Sequence, residues 1–134
     1  MSWRIVNPDS LAAPRGWNHG LLSDGRGRIL FVAGQTASDV SGRTDLDFVG
    51  QFRLALERVA AVVREAGGEP GNIGRLVIYV TNMNTYLESR KPLGEAYRAV
   101  MGRHYPAMAL VEVVRLVDSD TMVEIEAMAV LPDA

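Results

Sequence analysis

The sequence predicts one α+β domain, a mixed β-sheet with two helices packed on one of its faces. Three observations predict it. The chain has 134 residues, 48% of them hydrophobic, the size and apolar content of a single-core domain spanning 1–134. Apolar residues recur at helical spacing in two stretches, whereas four others are short runs rich in β-branched residues. The last of these runs is partly apolar on both faces, more than helices on one side can cover, so the second face is expected to meet another subunit.

The elements follow in order. After a short apolar start come the turn-rich stretches Pro8-Asp9-Ser10 and Ala13-Pro14-Arg15-Gly16-Trp17, then the turn signal Gly25-Arg26-Gly27. Arg28-Ile29-Leu30-Phe31-Val32 reads as a buried strand. It ends at Ala33-Gly34-Gln35, where glycine permits a bulge or a close backbone approach. From Phe48 to Ala66 the apolar positions Phe48, Val49, Phe52, Leu56, Val59, Val63 and Ala66 recur at helical steps. Thr44 or Asp45 is the expected cap, with Asp47 adding charge in the first turn and Gly67-Gly68 as the stop.

Arg75–Thr81 reads as a second buried strand. Thr85-Tyr86-Leu87-Glu88 resembles a capping box. The regular part of the next helix is expected to begin near Ser89, which places Pro92 in the tolerant first turn. Leu93, Ala96, Tyr97, Val100 and Met101 form its apolar stripe, ended by Gly102 and Pro106. Two strands close the chain, Ala107–Leu116 and Met122–Leu131. The polar connection Val117-Asp118-Ser119-Asp120 has hairpin length and predicts that they pair.

Composition excludes several chemistries. The absence of cysteine removes disulfides, thiolate nucleophiles and cysteine-ligated metal centres. The two histidines, His19 and His104, lie far apart, and no metal-ligand spacing is visible. Both read as ordinary, partly exposed imidazoles. A net charge of −2 and a pI near 5.6 argue against a nucleic-acid partner. No apolar run reaches the roughly 18–20 residues of a bilayer span, and the N-terminus lacks the basic and apolar segments of a signal peptide. A soluble, cytoplasmic protein without a membrane partner is expected.

Four segments, in this order, resemble the RidA/YjgF family of enamine/imine deaminases. They are Phe31-Val32-Ala33-Gly34-Gln35, Val77-Ile78-Tyr79-Val80-Thr81-Asn82-Met83, Tyr105-Pro106-Ala107-Met108-Ala109-Leu110-Val111-Glu112-Val113 and Val123-Glu124-Ile125-Glu126-Ala127-Met128-Ala129. The resemblance implies a chorismate-mutase-like subunit, assembled as a homotrimer with small-molecule clefts between subunits. Active relatives hydrolyse 2-imino or 2-enamine acids to 2-keto acids and ammonia, with no cofactor and no metal.

Carried over by residue, the family's water-positioning glutamate is Glu124. The aromatic that lines the cleft is Trp17 where tyrosine is common, and Ala33 stands where serine usually precedes Gly34. Gly94 occupies the place of an asparagine. Met108 stands where the family's carboxylate-binding arginine is expected. Trp17, Ala33, Gly34, Met108 and Leu110 are therefore the expected lining, with Glu124 as the catalytic group. From the residues alone, Glu124 reads sooner as a solvated or arginine-paired strand carboxylate, and the resemblance turns the reading toward catalysis. Arg15 reads as a solvated loop arginine or as a substitute guanidinium.

Met108 changes the expected ligand. Each hydrogen bond to a charged group is worth roughly 1.5–3 kcal/mol, so losing a bidentate arginine weakens carboxylate binding by about ten- to a hundredfold. Methionine offers flexible apolar surface instead. The expected function is deamination of an enamine or imine that is less anionic or more hydrophobic than the usual 2-imino acid. Two alternatives stand beside it: a non-catalytic trimeric module that binds a small metabolite, and an endoribonuclease or translation inhibitor.

Overall fold

The computed structural model describes residues 3–133. A two-stranded ribbon pairs β1 (Arg4–Val6) with β2 (Gly20–Leu22). The main sheet contains β3 (Arg28–Gln35), β4 (Ile73–Val80), β5 (Ala107–Glu112) and β6 (Val123–Leu131) in the spatial order β3-β6-β4-β5. β6 runs antiparallel to both neighbours, while β4 and β5 are parallel. The long helix α1 (Phe48–Glu65), the short α2 (Met83–Glu88) and α3 (Arg90–Met101) complete the chain. This is the expected mixed α+β sheet with its helices, and Pro92 does fall in the first turn of α3.

Periodicity explains which face the helices cover. In β6, Val123, Ile125, Ala127, Ala129 and Leu131 are all buried, while the residues between them are only half-buried. Their partners on β4, Leu76, Ile78 and Val80, are buried on the same face. The α1 stripe of Leu56, Val59 and Val63 and the α3 stripe of Leu93, Ala96, Tyr97 and Met101 pack there. Fully burying each such aliphatic side chain contributes about 1.5–3 kcal/mol. The opposite face carries Arg75, Val77, Tyr79, Glu124, Glu126 and Met128, with Ile29 and Phe31 on β3 exposed at 61% and 73%.

The expected terminal hairpin is not formed. β5 and β6 are separated by β4, because the crossover through α2 and α3 lays β5 parallel on the outer edge of β4. β6 then occupies the slot between β3 and β4, where both of its edges are hydrogen-bonded. Residues 113–122 therefore pass over the end of β4 rather than turning tightly. Val113 N–H bonds Val80 O at 2.8 Å, and Thr81 N–H bonds Met122 O at 3.1 Å. The buried Gln51 amide holds the passage from α1, donating to Asp120 O and accepting from Met122 N–H at 2.8 Å. Strand β5 accordingly stops at Glu112 instead of Leu116.

Two caps also differ from expectation. Asp47, rather than Thr44 or Asp45, caps α1, accepting from Gly50 N–H at 2.8 Å. Asn82 caps α2 by accepting from Thr85 N–H at 3.0 Å, which puts Thr85 inside the helix. The stop of α1 is as expected. Gly67, at φ +93°, lets Gly68 N–H reach Val63 O and Gly67 N–H reach Arg64 O, both at 2.9 Å.

Candidate functional site

The expected site residues fall into two groups on opposite faces of the sheet. On β5, Met108 and Leu110 are paired with Leu76 and Ile78 and point to the helix side. There they line a cleft of about 460 Å³. Phe52 of α1, Leu93 and Tyr97 of α3, and Tyr105 complete its apolar floor. The Tyr97 and Tyr105 rings stack with centroids 5.3 Å apart and planes 7° from parallel. Burial, and then the neighbouring Tyr105, push the Tyr97 hydroxyl's pKa well above the usual tyrosine value. That hydroxyl donates to His104 O.

Trp17 reaches the same cleft from the loop before β2. Asn18 fixes this loop to the free edge of β5. It bridges to Ala107, and its side chain donates to Tyr105 O at 2.6 Å. Asn7 closes the arrangement, donating to Asn18 Oδ1 at 2.9 Å and accepting from His19 N–H at 2.8 Å. The His19 ring stands edge-on to Trp17, with centroids 4.6 Å apart, and its Nε2 lies 2.8 Å from Ala12 O. His104 Nε2 lies 2.6 Å from Ile73 O. Both histidines thus hold backbone, and neither lines the cleft.

Three arginines surround this cleft: Arg15, Arg90 and Arg98. No aspartate or glutamate lies among the residues that line it. Arg15 is the loop arginine considered from the sequence. Arg90 and Arg98, missed there, flank Gly94 at steps of four on α3. That i, i+4, i+8 spacing places all three on one stripe of the helix, and it was the signal available in the sequence.

Glu124, Ala33 and Gly34 belong to the other face. The ladder between β3 and β6 shifts register between Val32 and Gln35, so Ala33 and Gly34 form a bulge. The Glu124 carboxylate lies against it. A Cβ placed on Gly34 would come within 2.5 Å of Glu124 Oε2, so glycine is there for close approach. Beside it, Tyr79 pairs with Glu124 across the strands, and its hydroxyl donates to Glu126 Oε1. That hydrogen bond, then burial and the nearby carboxylates, hold the Tyr79 pKa above its ordinary value. Within one chain, the sheet stands between this carboxylate group and the cleft.

Comparison with known proteins bears on the whole chain. Residues 8–131 match the family described as endoribonuclease L-PSP. The 2-iminobutanoate/2-iminopropanoate deaminase of Escherichia coli strain K12 is 32% identical over 108 residues, covering 78% of this chain and 80% of that protein. TdcF of the same strain is 33% identical over 108 residues with the same coverage. Among solved structures, YyfB of Yersinia pestis, a protein of the conserved Rid family, superimposes with a TM-score of 0.83 at 28% identity, covering 98% of this chain and 100% of that one.

Proposed function

The chain belongs to the RidA/YjgF family, and from that premise we propose that it hydrolyses a reactive enamine or imine to a carbonyl compound and ammonia. The observation that carries this reading is the Glu124 carboxylate held over the Gly34 bulge. A carboxylate fixed there can accept a proton from water as the water oxygen attacks the imine carbon. Glu124 passes that proton to the imine nitrogen, giving a neutral carbinolamine. The hydroxyl proton then moves to the nitrogen as the C–N bond breaks, so ammonia leaves and the oxygen remains as the carbonyl. Neither step requires a cofactor.

The substrate differs from the small 2-imino acids in our reading, because Met108 places thioether surface where a carboxylate fork would otherwise stand. The apolar floor favours a body with aliphatic or aromatic groups. We also propose a homotrimer in which the open sheet face of one subunit meets the cleft-bearing edge of the next. This assembly would bring Glu124 and Gly34 of one subunit to the Trp17, Met108 and Leu110 cleft of another. The separation of the two groups by the sheet supports it.

The test generates imines in place with an amino-acid oxidase, across acidic, aliphatic and aromatic amino acids, and follows their decay. Wild type is expected to accelerate decay of the apolar members. Glu124→Gln is expected to lose about 10²–10⁴-fold of that acceleration while keeping its oligomeric state. Wild type that accelerates none of them, yet binds a ligand stoichiometrically, would replace the enzyme with a metabolite-binding module.

A further inference from the structure

We propose that Arg98 is the carboxylate-binding residue of this chain, acting from α3 at the mouth of the cleft, and that the ligand is an organic acid with an apolar or aromatic body. The inference rests on the cleft being the substrate site and adds the residue that selects the substrate's charge.

The packing around Gly94 carries it. A Cβ on Gly94 would lie 3.1 Å from Arg98 Nη1, 3.8 Å from Nη2 and 3.9 Å from Cζ. The guanidinium therefore lies against the Gly94 backbone one turn earlier on α3, where a side chain at 94 would press on its Nη1. The glycine leaves room for it there, and no ion pair among the described residues holds it. Among the described residues the two salt bridges are Arg43–Asp120 and Arg53–Glu57, and no side-chain hydrogen bond from Arg98 is formed. Its five donors are free for a ligand. Arg90, by contrast, already gives its Nε–H to Leu87 O at 3.2 Å.

The surroundings define the ligand. Inward from Arg98 on the same helix are Leu93 and Tyr97, and across the cleft stands Met108. Within one subunit the cleft carries three guanidinium groups and no carboxylate, a local positive field in a chain of net charge −2. The proposed trimer sets the Glu124 carboxylate of a neighbouring subunit opposite it. A carboxylate at Arg98 would leave the rest of its molecule over the stacked Tyr97 and Tyr105 rings, which suits an aromatic body. The anion contact has moved from the sheet to the helix, toward the mouth. A longer, more apolar acid then spans the space between mouth and floor.

Equilibrium binding of two unreactive probes tests this apart from turnover. Calorimetry compares 3-phenylpropanoate with 3-phenylpropanamide, which differ in charge but scarcely in shape. Wild type is expected to bind the acid about tenfold or more tightly than the amide. Arg98→Gln should erase that preference while leaving amide affinity unchanged. Gly94→Ala favours the helix and asks the guanidinium to shift by only a few tenths of an ångström, so its acid binding is expected to fall by less than that of Arg98→Gln. Equal affinity for both probes in wild type, equal losses of both in Arg98→Gln, or no binding of either would overturn the proposal. Because neither probe reacts, these outcomes are independent of whether Glu124→Gln abolishes imine decay.

Discussion

Two glycines shape the site by what they leave out. Gly34 leaves space for the Glu124 carboxylate, and Gly94 leaves space for the Arg98 guanidinium. At both positions the added atom would meet the far end of a flexible side chain, so the functional group should move before the backbone does. Gly34→Ala is therefore expected to cost little stability, yet to push Glu124 off its position. Misplacement of a catalytic group by about 1 Å can cost about 10²-fold in rate, and a loss of that order is the expected outcome. The imine-decay assay and a thermal melt on the same sample check it. An unchanged rate would mean that the carboxylate does not act from over Gly34. Glu124 and the substitution at Met108 were legible in the sequence, because each sits in a short recognisable strand segment. Arg98 was not singled out: its step of four from Gly94 is readable, but only the fold turns that stripe of α3 toward the cleft.

At the scale of elements, the interiors of helices and strands were readable and their ends were not. The α1 stripe and the alternation of β6 depend on periodicity over many residues, so each is over-determined. A cap depends on one residue. Thr44, Asp45 and Asp47 all carry a suitable oxygen, and the path of the loop selects Asp47. Asp47→Ala should destabilise the fold by about 1 kcal/mol, whereas Asp45→Ala should stay within about 0.5 kcal/mol of wild type. Urea unfolding of the two variants distinguishes them. Equal midpoints would show that the Gly50 amide is satisfied by water. Likewise, Asn82 rather than Thr85 starts α2, since its side chain stands where β4 releases the chain.

For the molecule as a whole, the open sheet face has more apolar surface than a solvated face needs. Ile29, Phe31 and Val111 are exposed there, with Val77 and Met128 between them on the central strands. On the proposed trimer this face is covered. Phe31→Glu would bury an unpaired carboxylate, which costs several kcal/mol. It is expected to shift the assembly toward the 14.6 kDa single chain and to lower imine decay in parallel. Sedimentation at several concentrations measures the shift. Wild type that itself sediments as one chain would refute both the trimer and the shared site, since Glu124 and the cleft lie on opposite faces of a single sheet.

Local information determined the class of fold, the buried stripes, the glycine stop of α1 and the family to which the chain belongs. Each of these is written in residue periodicity or in contiguous motifs, which need no knowledge of where distant segments go. The tertiary structure decided that β6 enters between β3 and β4 instead of pairing with β5. A short polar connection suits either path, and only the slot offering hydrogen-bond partners on both edges distinguishes them. It also decided that Trp17, Arg98 and Met108, from a loop, a helix and an edge strand, surround one cleft. Glu124 went to the far face because side chains along β6 alternate, and the helices cover the face its apolar neighbours present.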